Sequence, residues 1–183
     1  IMSQLPLYAK ELEPSAGASA ATTLSIAAWM GGTITQWPAG LLSDRIDRRF
    51  VVAGLALTAL VACIALFMTA GRVSFSVTVM LAAVWGGGAL SFYSVSASHA
   101  TDRSEPGQIA SVMSGMLFVW AAGSVAGPII TGVTADTDLG QPGVFAVVAV
   151  LYFALLASNL WRVSITRRPE ASHRSPFVPV AGT

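Results

Sequence analysis

The densest chemistry in this sequence lies in Gly40-Leu41-Leu42-Ser43-Asp44-Arg45-Ile46-Asp47-Arg48-Arg49, where two carboxylates and three guanidinium groups fall within ten residues. A run of 30 residues without Asp, Glu, Lys or Arg, Pro14 to Ser43, precedes this cluster. Asp44 is expected to accept hydrogen bonds from backbone N–H groups at a helix N-terminus. Arg45, Arg48 and Arg49 can pair with carboxylates or phospholipid headgroups, or serve only to hold one side of the chain at a membrane surface. His99, beside Thr101 and Asp102, is the one candidate for proton carriage, although a solvated side chain at a helix end is the plainer alternative. Ser114 and His99 also suggest a nucleophile and base. The serine sits in "VMSGM" without the preceding G-x, however, and lies some two helical turns from the histidine in depth, so no catalytic residue and no enzyme activity are expected. No metal or cofactor is expected.

The elements that must position these groups follow from composition. Of 183 residues, 54% are hydrophobic and only 10% charged, with a mean hydropathy of +0.68. Soluble domains are about a quarter charged, so there is too little polar surface here for a water-soluble globule. The net charge of +1 gives no reason to expect a nucleic-acid partner. The single cysteine, Cys63, excludes an internal disulfide. Five apolar segments, 16–39, 50–70, 74–98, 108–134 and 143–163, are each long enough to cross a bilayer as a helix. None carries a charge well inside its limits, and one such charge at mid-bilayer costs roughly 2.5–3.5 kcal/mol. The expected fold class is therefore an all-α membrane protein with five transmembrane helices.

Short connections make neighbouring helices antiparallel, so alternate loops face opposite sides. One side then collects Arg45, Arg48, Arg49, Arg103, Arg162, Arg167, Arg168 and Arg174; the other has Lys10 and Arg72. The arginine-rich side is expected to be cytoplasmic, with the N-terminus external and the C-terminus inside. Residues 1–15 read as an external segment or the remnant of a preceding helix, and 164–183 as a disordered cytoplasmic tail. The chain opens without an initiator methionine or a basic leader, so an upstream part is expected to be missing.

The spans are of two kinds. The second and fifth are plain and greasy, suited to lipid. The first, third and fourth are rich in Gly, Ser and Thr, which lets backbones approach or lines a wet cavity. Pro38 and the Gly127-Pro128 pair remove backbone hydrogen bonds and permit bending. Trp29, Thr33, Gln36, Tyr93, Ser114 and Trp120 are candidates for lining a path, with packing or interfacial anchoring as the rival account of the aromatics.

The segment from Gly40 to Arg49 resembles the signature loop of the major facilitator superfamily, G-x-L-a-D-r-x-G-r-[RK], with Asp47 in place of the second glycine. "GSVAGPIITG" in the fourth span is similar to that family's G-x-x-x-G-P bend, and "SFYSVSASHATDRSEPGQIASVMSGMLF" to its helix 10–loop–helix 11 region in an uncharacterised bacterial branch. The resemblance covers about residues 5 to 163. The third span also lacks the arginine typical of helix four in that family. The resemblance thus implies helices 8–12, the C-terminal half of a twelve-helix secondary transporter in a bacterial inner membrane. The N-terminal half, helices 2–6, is the alternative. It further implies a small organic solute moved by alternating access, a proton as possible partner, and a latch formed by Gly40, Asp44, Arg45, Arg48 and Arg49. By the same analogy the first, third and fourth spans line the path. A membrane interaction or sensory protein that reuses the fold without transport is the competing function.

Overall fold

A computed structural model describes residues 2–102, 104, 105 and 107–165; the side chains of Val163 and Ile165 are not part of the description. Arg103 and the expected tail from residue 166 onward lie outside the described residues. Six helices follow one another: α1 Leu5–Leu12, α2 Gly17–Arg45, α3 Arg48–Thr69, α4 Phe75–Thr101, α5 Ile109–Ala135 and α6 Gly143–Ile165. Four of them, α3 to α6, are long and apolar enough to cross a membrane. The first expected span, 16–39, belongs to α2, whose 29 residues would extend about 43 Å, but whose Thr, Ser, Gly and Gln content keeps it out of that set.

That polarity is mostly neutralised within α2 itself. Thr22, Thr23, Ser25 and Thr33 each donate a hydroxyl hydrogen bond to the carbonyl four residues earlier, at 2.8 to 3.0 Å. A hydroxyl bonded in this way no longer needs water.

Helix α4 is the centre of the bundle, packed against α2 and α3; α6 packs on α3 and reaches α4 through Tyr152. The sequence dictates this through glycine. A Cβ on Gly86 would run into the Ala28 carbonyl of α2, and one on Gly31 into the Ala83 carbonyl of α4. On the α3 side, a Cβ on Gly88 would lie 2.8 Å from both the Leu55 oxygen and the Ala59 nitrogen. The helices therefore touch backbone to backbone, where van der Waals attraction is greatest in a medium that offers no hydrophobic drive. Around this seam lie the fully buried Leu24, Ala28, Ala59, Cys63, Leu66 and Ala82.

Helix α3 corrects one expectation. Half of it is packed inside the protein, with ten buried residues from Val51 to Leu66; only the stripe Phe50, Leu57, Val61, Ile64 and Met68 is exposed and apolar. Helix α5 is the opposite case, with Thr131 as its one buried residue and open space beside Gly115, Gly123, Gly127 and Gly132. Pro38 and Pro128 lie inside continuous α2 and α5, each leaving a carbonyl one turn earlier without its helical donor.

The short helix α1 closes one end of the bundle. Leu5, Tyr8 and Ala9 are buried there. The Tyr8 hydroxyl donates to the Leu66 carbonyl in the last turn of α3 at 3.0 Å, and its ring meets Phe145 of α6 edge-on at 4.8 Å.

Gly86→Leu should lower stability by about 2–3 kcal/mol or more, because backbone rather than a flexible side chain blocks the new atoms. Gly123→Ala, in open space, should leave the thermal unfolding midpoint in detergent nearly unchanged. Equal midpoints for the two variants would contradict the close approach.

Candidate functional site: the arginine-bearing end and its two cavities

The charged segment folds differently from the expectation at Asp44. Neither Pro38 nor Gly40 breaks α2, which continues to Arg45 and stops only at Ile46, whose backbone is extended. Asp44 thus lies in the last turn of α2, where the N–H groups are already bonded within the helix. The N-terminus of α3 is capped by Asp47 instead: its Oδ1 accepts from the Arg49 N–H at 3.0 Å, meeting one of the helix's orphan donors. The residue that departs from the signature loop is the one that starts the next helix.

Asp44 pairs with Arg48, Oδ1 to Nη2, at 3.5 Å. The same guanidinium reaches the end of α4, its Nη1 lying 3.0 Å from Asp102 Oδ2. The Nη1 contact lacks hydrogen-bond alignment, so the attraction there is coulombic. Arg48 consequently ties together the end of α2, the start of α3 and the end of α4. Asp102 was noted in the sequence only as a neighbour of His99; no local pattern joins it to a residue 54 positions earlier. Arg45 is exposed and has no carboxylate partner among the described residues. Gly40 has open space beside it, and its carbonyl accepts from the Ser43 hydroxyl at 2.8 Å.

Two cavities adjoin at Phe92 and Ser96 of α4. The larger, about 470 Å³, lies between α4 and α5 and is lined by Tyr93, Val112, Gly115, Met116, Val119 and Trp120 as well. The structure therefore brings Tyr93 and Trp120 together. Ser114 lines neither cavity, and His99 lines the other one, so the serine and histidine do not share a site. The smaller cavity, about 250 Å³, is enclosed by Arg49, Val52, His99, Asn159 and Arg162 together with Phe92 and Ser96. No group of three His, Cys, Asp or Glu side chains able to hold a metal ion occurs among the described residues.

Trp29, Thr33 and Gln36 lie apart from both cavities. They follow one another at helical spacing along α2, all exposed, on the face opposite the buried Ala20, Leu24, Ala28 and Gly32. Thr33 satisfies its hydroxyl on the Trp29 carbonyl. The Gln36 amide has no hydrogen-bond partner among the described residues.

The family model described as Major Facilitator Superfamily matches residues 1–182. The chain belongs to this superfamily. No curated protein and no solved structure matches it. As a major facilitator protein with apolar helices of spanning length, it is a multi-pass membrane protein of the all-α class. Its signature segment, as folded here, is a three-helix clasp centred on Arg48.

Both carboxylates of that clasp are more than half exposed, and exposed pairs contribute about 0.2–1 kcal/mol each. In a double-mutant cycle of Arg48→Gln and Asp102→Asn, read by thermal unfolding, the coupling should fall in that range and shrink at high salt. A coupling of zero at low salt would remove the clasp.

Proposed function

We propose that this chain is the C-terminal half, helices 8–12, of a secondary transporter that moves a small organic solute by alternating access across a bacterial inner membrane. The observation that carries the reading is the exposed stripe of α2 with Trp29, Thr33 and the unpartnered Gln36 amide. An amide facing hydrocarbon costs several kcal/mol. It is accounted for when that face meets a wet path or the other half of the transporter. The open flank of α5, whose glycines meet nothing among the described residues, fits the same account, as does the Tyr93–Trp120 groove beside it.

In this reading α2 also crosses the membrane, as the first of five spans, and residues 1–15 belong to the end of a preceding helix. The arginine-bearing end faces the cytoplasm by the positive-inside rule, and the Arg48 clasp latches one of the two access states. His99, at that end, is the group through which a proton could enter the cycle.

Orientation is tested with single thiols at positions 47 and 104, Cys63 being buried and out of reach. A membrane-impermeant maleimide should label both from the cytoplasmic side only; labelling from outside intact cells would reverse the topology. Function is tested in proteoliposomes carrying the whole gene product, with a panel of radiolabelled small organic solutes. Gln36→Leu should lower uptake roughly tenfold, the value of one hydrogen bond lost, with insertion unchanged. Correct insertion with no flux for any solute class would instead favour a protein that reuses the fold without transport.

A further inference from the structure

The smaller cavity draws its polar groups from three helices that meet at one end of the bundle. Arg49 comes from the first turn of α3, His99 from the last turn of α4, and Asn159 and Arg162 from the end of α6. Asn159 and Arg162 stand three residues apart and so share one helix face. The carboxylates nearby in the chain are already engaged. Asp44 and Asp102 face Arg48, and Asp47 holds the Arg49 N–H. Among the described residues, neither Arg49 nor Arg162 pairs with a carboxylate. Two guanidinium groups that share a cavity of about 250 Å³ repel each other until an anion lies between them.

The remaining walls, Val52 and Phe92, are apolar, and Phe92 is backed by Tyr152 of α6 edge-on at 6.4 Å. Beside Arg162 stands Trp161, exposed on α6, a residue type that collects at the headgroup level of a bilayer. A cavity with a cationic mouth and an apolar wall, at the end of membrane-spanning helices, matches a lipid whose phosphate lies outside its glycerol and first acyl carbons. Basic pockets between transmembrane helices hold acidic headgroups in this way. Free phosphate shares the charge but has no use for Val52 and Phe92.

We propose that Arg49, His99, Asn159 and Arg162 form a binding site for the phosphodiester headgroup of an anionic phospholipid. The site requires a membrane protein but no transport cycle, so its test does not depend on flux.

The full chain, purified in a neutral detergent, is titrated with phosphatidylglycerol, with phosphatidylcholine and with inorganic phosphate, while the unfolding midpoint is followed. Phosphatidylglycerol should raise the midpoint saturably, and the other two should not. Arg49→Gln and Arg162→Gln should each weaken the apparent affinity about fivefold, and together about thirtyfold. Arg162 is exposed, so its single variant remains folded even if the double variant does not. Arg72→Gln, in the turn between α3 and α4 at the opposite end of the bundle, should bind as the wild type does. A response to inorganic phosphate equal to that of the lipid, or an equal loss in Arg72→Gln, would overturn the site.

Discussion

Everything in this bundle depends on how closely α4 approaches α2 and α3. Lipid tails are as apolar as leucine, so burying apolar side chains brings no net gain over leaving them in the bilayer. What remains is contact density. Gly31, Gly86 and Gly88 let main chain lie on main chain, and the buried alanines Ala28, Ala59 and Ala82 extend that contact. With α4 fixed in this way, the Tyr93 face, His99 and Asp102 are set relative to α3, and the clasp and both cavities follow.

Much of this was legible in the residues. The runs that became α3 to α6 are long and carry no charge well inside their limits, which leaves little choice but a helix. The small residues of the first and third spans announced a close interface, and Gly31 and Gly86–Gly88 make one. Their counterparts in α5 carry the same signal, yet among the described residues nothing packs on them. Composition says that a helix can be approached closely, not which helix does so. The same limit explains α3: an apolar residue reads alike whether lipid or protein covers it, so the buried half of that helix was invisible. Helix α1 was read only as a segment or remnant, because eight residues are too few to show a period.

The charged cluster was recognised, but its division of labour was not. Asp44 and Asp47 differ by three positions, and which one caps a helix depends on where the break falls. That break lies at Ile46, not at the end of the apolar run. The pairing of Arg48 with Asp102 and the meeting of Arg49 with Arg162 are products of tertiary structure, as is the grouping of Tyr93 with Trp120. Trp29, Thr33 and Gln36, by contrast, fell on one face by spacing alone.

The two ends of the bundle are fastened by different means. At one, the Tyr8 hydroxyl and the Tyr8–Phe145 edge contact lock α1, α3 and α6 in a dry, interlocked joint. At the other, α2, α3 and α4 are held by half-hydrated charges around Arg48. The two joints therefore answer to different solvents: salt reaches and weakens the arginine end, while the buried tyrosine end is shielded from it.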